Sequence, residues 1–154
     1  MTVLLLTGMS GAGKSTALAA LARLGFETID TDEAGWIESV DGEPLWRRDR
    51  IDEALGASRS GPLVLVGTVA NQGEWADRFA AVVLLTAPVE VLMRRLRDRP
   101  AGQYGSTAAD RAQVARDAAD VEPLLRAMAT HVVDTSVDLE EVVAELASIL
   151  RTTR

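Results

Sequence analysis

Cysteine is missing from this 154-residue chain, and histidine, lysine and tyrosine occur once each. Without cysteine there is no disulfide framework and no thiolate metal site. One histidine, His131, cannot build a multi-histidine metal centre; it opens an apolar run and reads as structural. Aromatic residues make up only 4% of the chain, and no apolar stretch reaches the length of a membrane-spanning helix. Cations are also scarce: 16 Lys and Arg stand against 23 Asp and Glu, for a formal net charge of −7. A phosphate backbone calls for a basic face, so nucleic acid is not expected as the main partner. There is no internal repeat or low-complexity tract, and the length suits one domain. Met1 leads directly into an apolar run with no signal-peptide pattern, so a cytoplasmic protein without membrane contact is expected.

Against this scarcity one stretch stands out, Gly8-Met9-Ser10-Gly11-Ala12-Gly13-Lys14-Ser15-Thr16. It fits G-x-x-x-x-G-K-[ST], the phosphate-binding loop. The flanks agree with it: Val3 to Leu6 is strand-like, and a run rich in Ala and Leu follows. Glycines let the backbone curl so that several N–H groups face one anion, and the positive end of the next helix adds to them. In that frame Gly8, Ser10, Gly11, Ala12, Gly13, Lys14, Ser15 and Thr16 surround the phosphates. Lys14 reaches the terminal ones, and the Ser15 hydroxyl holds magnesium. Lys14 is the sole lysine in the chain, which keeps a compact ammonium where a phosphate needs one.

The rest of the pattern alternates strands and helices. Strands are expected at Val3 to Leu6, Phe26 to Ile29, Leu63 to Val66, Ala81 to Leu85 and His131 to Val133. Helices are expected at Lys14 to Leu24, Glu33 to Val40, Leu45 to Ala57, Trp75 to Phe79, Pro88 to Arg99, Thr107 to Ala129 (broken near Pro123) and Leu139 to Leu150. Thr86 is read as the cap of the helix that Pro88 starts. All-apolar runs such as Leu63-Val64-Leu65-Val66 mark strands buried on both faces of a parallel sheet. The expected fold is therefore α/β: a three-layer α/β/α P-loop domain with five parallel strands in the order 2-3-1-4-5 and a short lid at 100–107. Ligands of such sheets bind beyond the carboxyl ends of the strands.

Absences narrow the activity further. The strands ending at Val66-Gly67 and Leu85-Thr86 carry no terminal acid of the kind that ATP-driven motors use. An N-K-x-D guanine motif is impossible with one lysine already placed. A small kinase, moving the γ-phosphoryl to an acceptor, remains. Here the chain resembles the shikimate, gluconate and adenylate kinase group, and shikimate kinases most nearly. The loop followed by Ile29-Asp30-Thr31-Asp32 and Ile37-Glu38 resembles their D-[TS]-D-x-x-I-E segment, with two extra residues. The resemblance implies ATP and Mg2+, with Asp30 helping to hold the metal and Asp32 touching the acceptor hydroxyl. Gly42-Glu43-Pro44-Leu45-Trp46-Arg47 resembles G-E-x-x-F-R, which makes Arg47 an acceptor-binding residue. The family's G-G-G turn is replaced by Gly67 to Gly73.

Independent physics favours the acids, because carboxylates at i and i+2 beside a triphosphate repel unless a cation joins them. The alternative for either is a helix N-cap before Glu33. Arg95 and Arg99 share a helix face just before the expected lid, and the resemblance to these kinases implies that they meet nucleotide, with Arg99 also stabilising the transferring group. The alternative is a solvated face with Glu90 and Asp98. The lid lacks a second arginine, for which Arg111 is the candidate substitute. The resemblance also implies that Thr135, in Asp134-Thr135-Ser136, lies at the adenine edge, against an ordinary turn. Asn71 and Gln72 are expected to bind a polar acceptor, against a plain polar loop. The catalytic set is then Lys14, Asp32 and Arg99, the acceptor region about 33–60, and the partner a small molecule taken up by a monomer or weak dimer. Two alternatives stay open: a nucleoside or nucleotide kinase, and an ATP-binding regulatory module that hydrolyses slowly or not at all.

Overall fold

The computed structural model describes residues 2–153. Along them run β1 (Val3–Thr7), α1 (Lys14–Arg23), β2 (Glu27–Asp30), β3 (Ile37–Val40), β4 (Glu43–Trp46), α2 (Arg48–Gly56), β5 (Leu63–Val66), β6 (Ala81–Thr86), α3 (Val89–Arg97), α4 (Ala108–Asp120), α5 (Glu122–Met128), β7 (His131–Asp134) and α6 (Leu139–Thr152). A 3-10 segment, Gln72–Arg78, precedes β6. Five strands form one sheet in the order β2-β5-β1-β6-β7, and every neighbouring pair is parallel. With the separate β3–β4 pair left out of the count, this is the expected order 2-3-1-4-5.

Apolar strands are central because both their faces are covered. Leu4, Leu5 and Leu6 are fully buried, as are Leu63, Val64 and Leu65. Leu4, Leu6, Val64 and Val66 pack with Leu18 and Leu21 of α1 and Leu146 and Leu150 of α6. Val3, Leu5, Leu63 and Leu65 pack on the other side with Trp46, Ile51, Leu55 and Trp75. Truncating such a leucine to alanine costs about 2–5 kcal/mol. The parallel register brings the carboxyl ends of β1, β2, β5, β6 and β7 to one edge, where the phosphate loop begins.

Two expectations fail between β2 and α2. No helix forms over 33–40, and the helix expected over 45–57 starts only at Arg48. Instead β3 and β4 pair antiparallel, with Val40 opposite Glu43 and Ile37 opposite Trp46. The two-residue connection, Asp41-Gly42, has positive φ at both positions, 53° and 80°. That is the backbone of a tight hairpin turn matched to strand twist, and Asp-Gly is its usual sequence. Trp46 thereby becomes a strand residue whose ring is fully buried, edge-on to Trp75 and Phe79.

Smaller differences also have local causes. Thr86 ends β6 and gives its hydroxyl to Glu122, at 2.8 Å, so Pro88 is the N-cap of α3. The long helix divides at Val121, with Pro123 in the first turn of α5, where the missing N–H costs nothing. Thr107 caps α4 by accepting from the Asp110 N–H at 3.1 Å.

Candidate active site

The loop between β1 and α1 is held by backbone and by one threonine from a neighbouring strand end. Gly8 has φ 153°, and a Cβ there would lie 2.5 Å from the Leu85 carbonyl oxygen. Only glycine fits such a close approach between β1 and β6. Thr68, just past β5, donates to the Gly8 carbonyl at 2.8 Å and accepts from the Gly8 N–H at 3.3 Å. The Lys14 ammonium folds back on the carbonyls of Gly8 and Met9. Burial is the main cause that lowers its pKa from about 10.5 to about 8, with Arg99 adding to the fall and Asp32 and Asp30 opposing it. The ammonium is thus poorly solvated and poised for an anion.

The other end of the loop is fixed by Arg95. Its guanidinium donates to the Gly11 carbonyl at 3.0 Å, to the Thr135 hydroxyl at 3.0 Å and to the Thr135 carbonyl at 2.5 Å. The buried Thr135 hydroxyl donates in turn to the Ala12 carbonyl at 2.7 Å. Arg95 and Thr135 therefore brace the cradle from α3 and from the turn after β7. Asp134 closes that turn by accepting from the Ser136 hydroxyl and N–H, which lowers the carboxyl pKa.

Three cavities open around this frame. The largest, about 900 Å³, is lined by Ser10, Gly11, Gly13, Lys14, Ser15, Thr16, Asp32, Arg95 and Arg99, with Gln103 and Tyr104 from the lid. Beside it, a more apolar recess of about 380 Å³ is framed by Gly13, Thr16, Thr135, Val137 and Leu139. On the other side of Lys14 lies a chamber of about 190 Å³, lined by Gly8, Met9, Ser10, Lys14, Asp32, Thr68, Val114 and Asp117. Ser10, Lys14 and Asp32 belong to both the large cleft and this chamber.

Asp32 stands at that junction. Partial desolvation and the Asp30 carboxylate raise its pKa, and Lys14 pulls it back. Asp30, the last residue of β2, accepts from the Asp32 N–H at 2.9 Å, so an Asx turn sets the spacing of the two acids. No regular helix starts after them, which removes the helix-cap alternative. Ser15 and Asp32 line the large cleft with oxygen atoms, whereas Asp30 lines neither cavity. The segment 100–107, expected as a lid, is pinned as a turn: Arg99 donates to the Tyr104 carbonyl at 2.7 Å. Arg111 donates to the carbonyls of Ser106 at 2.9 Å and Gly105 at 3.2 Å. Arg111 therefore shapes the lid rather than replacing a lid arginine. Desolvation, then Asp117 and Asp110, raise the Tyr104 phenol.

Residues 4–116 match the AAA domain family. The shikimate kinase of Halorhodospira halophila is 35% identical over 144 residues, covering 75% of this chain and 80% of that protein. The shikimate kinase of Nitrobacter winogradskyi is 33% identical over 162 residues, covering 96% and 76%. The chain belongs to the shikimate kinase-like family of P-loop kinases. The fold agrees: the structure of shikimate kinase from Acinetobacter baumannii in complex with shikimate superposes with a TM-score of 0.67. It does so over 99% of this chain and 94% of that one, at 21% identity. A "nucleotide-binding protein" of Sphingopyxis alaskensis is 35% identical over 143 residues, 87% of this chain but 44% of its own length. The chain spans about half the length of such nucleotide-binding relatives.

Within this shikimate kinase-like frame, three residues expected on the acceptor are engaged within the protein itself. Asn71 accepts from the Trp46 N–H at 2.9 Å and donates to the Trp46 carbonyl at 3.1 Å. Its amide completes the edge of β4. Gln72 is buried and bridges the Thr7 hydroxyl, 3.2 Å, and the Val69 N–H, 2.9 Å. Arg47 pairs with Asp49 at 3.0 Å. None of the three lines the chamber, and no residue from 33–60 does. Thr68, Val114 and Asp117 do, and sequence reasoning missed them. They sit after β5 and on α4, with no motif around them. Among the described residues no helix is long and apolar enough to cross a membrane.

Proposed function

We propose that the chain catalyses ATP-dependent phosphoryl transfer to a hydroxyl of a small polar molecule. The supporting observation is the meeting of two cavities at Lys14, Ser10 and Asp32. A hydrolase needs one chamber and a water; a transferase needs a second chamber opening onto the γ-phosphate.

In this reading the triphosphate lies along the Gly8–Thr16 amides, and the base occupies the recess bounded by Thr135. Ser15 and Asp30 are the residues that would hold magnesium, which supplies charge neutralisation at the β- and γ-phosphates. Asp32 orients the acceptor hydroxyl in the small chamber. The hydroxyl oxygen bonds to the γ-phosphorus, the bond to the β-phosphate oxygen breaks, and the hydroxyl proton passes to the Asp32 carboxylate. An acid whose pKa is raised accepts that proton more readily than an ordinary carboxylate. Lys14 and Arg99 stabilise the charge on the moving group. Gln103 and Tyr104, carried by the lid, exclude water from the closed cleft.

A nucleoside or nucleotide kinase is less well supported, because the side chains expected to read a base, Asn71 and Gln72, are bonded to the protein's own backbone and to Thr7. The regulatory-module reading differs in outcome. The deciding experiment measures ADP release from Mg–ATP with and without a library of hydroxylated metabolites. Acceptor-dependent release that disappears in Asp32→Asn, with nucleotide affinity kept, supports the kinase. Binding of ATP with release indifferent to every acceptor leaves the module.

A further inference from the structure

The charge of the acceptor chamber is the feature that the kinase reading leaves unused. Its polar lining consists of the Ser10 and Thr68 hydroxyls, the Lys14 ammonium and two carboxylates, Asp32 and Asp117, over an apolar floor of Met9 and Val114. Lys14 is committed to phosphate by its place in the loop. Asp32 is committed to the acceptor hydroxyl. That leaves Asp117, from the last turn of α4, facing the acceptor with no assigned task. One of its oxygens accepts from Gln113 at 2.8 Å; the other has no protein donor among the described residues.

No arginine among the described residues lines the chamber. Arg48 is drawn to Glu74 at 2.6 Å, and Arg50 lies over the Trp36 ring, 4.9 Å from its centre. Arg47 is held by Asp49. Arg116 donates to Gln113, and Arg111 is spent on the lid carbonyls. Arg95 and Arg99 line the nucleotide cleft and not the chamber. A carboxylate entering the chamber would thus meet Asp117 without a guanidinium to pair with, and like charges at close range are strongly disfavoured. A protonated amine would find in Asp117 a carboxylate oxygen free to accept its hydrogen bond.

Resting on the kinase reading, we infer that the acceptor is a hydroxyl-bearing cation, an amino alcohol or amino sugar, held with its hydroxyl on Asp32 and its ammonium on Asp117. This choice separates the chain from a kinase whose acceptor is a hydroxy acid. Reading the acceptor's charge is then the work of α4, and orienting its hydroxyl the work of the Asp30–Asp32 turn.

The test uses three six-carbon probes that differ in charge: glucosamine, glucose and glucuronate, at a pH where the amine is protonated. Each is titrated by NMR into the full chain, with and without Mg–ADP, and Mg–ADP binding is measured separately with a fluorescent ADP. The expected order is glucosamine tightest and glucuronate weakest. Asp117→Asn should cut the preference for glucosamine over glucose by about tenfold, as for loss of a charge-assisted hydrogen bond, and leave ADP affinity unchanged. Gln113→Glu, which keeps an acceptor for Arg116 but removes the amide that donates to Asp117, should keep the preference. Equal affinity for the three probes, absence of binding included, overturns the inference, as does tightest binding of glucuronate or an Asp117→Asn variant with the preference intact. Failure of ADP to bind would instead sink the kinase reading, while the order of the sugars on the nucleotide-free protein still judges the chamber.

Discussion

The two sides of Lys14 are built in different ways. On the nucleotide side the wall is mostly main chain: the amides of the loop, clamped by Arg95 and Thr135 across three elements. Toward the small chamber, which the proposed reading gives to the acceptor, half of the lining residues are the loop's own, Gly8, Met9, Ser10 and Lys14, and the rest are Asp32, Thr68, Val114 and Asp117 from separate stretches. A main-chain wall binds what all its substrates share, the polyphosphate. Asp32, Val114 and Asp117 stand outside the loop and can be altered with little effect on the cradle, whereas Thr68 also holds Gly8.

Substitutions can break or sharpen this contrast, and the largest effect is expected at the junction. Asp32→Asn should lower the transfer rate by about 10²–10⁴ with nucleotide affinity within about twofold. It should also raise the thermal midpoint, because a carboxylate whose pKa is raised by desolvation and by Asp30 is disfavoured in its ionised form. Loss of ADP binding in this variant would merge the two sides. Lys14→Met should cost about 10²–10³ in transfer, read by single-turnover kinetics, and should weaken nucleotide binding as well.

On the nucleotide side, Arg95→Ala removes three guanidinium hydrogen bonds. Denaturant unfolding should show a loss of about 2 kcal/mol, accompanied by weaker ADP binding. Asn71→Ala tests the acceptor side. It leaves the Trp46 N–H and carbonyl unmatched, for about 1–2 kcal/mol of stability, while KM for the acceptor stays at the wild-type value. A raised KM with unchanged stability would return Asn71 to the acceptor.

The smallest effect is a pH dependence. Lys14 has a pKa of about 8 in the ligand-free protein, and phosphate binding needs its ammonium. ADP affinity should hold below pH 8 and fall above it by at most about tenfold per unit. The sign for stability is opposite. Between pH 8 and 10.5 the unfolded chain holds the Lys14 proton more tightly than the folded one, so the ligand-free protein gains stability as pH rises through that window. Fluorescent-ADP titration and denaturant unfolding across the range check both.

The phosphate loop and the five-strand order were legible in the sequence because each depends on short-range rules. A glycine pattern after an apolar strand dictates backbone shape, and uninterrupted Val and Leu runs dictate burial on both faces. The hairpin was also written there, in Asp41-Gly42, but the apolar spacing of Trp46, Ile51 and Leu55 pointed to one helix. Only packing decided between them, since a Trp on an edge strand and one on a helix have the same spacing to Ile51. The internal bonds of Asn71 and Gln72 were not legible for a related reason: an amide in a loop looks free until the groups it bonds are known.

What the sequence by itself determined is the cradle, the acid pair Asp30 and Asp32 beside it, and the parallel sheet that aims both at one edge. These are local in the chain, and local geometry follows from residue type. What only the tertiary structure decided is the acceptor chamber. Val114 and Asp117 are about a hundred residues from the loop they face, and the packing of α4 over the strand ends, not any motif, sets the charge a substrate meets there.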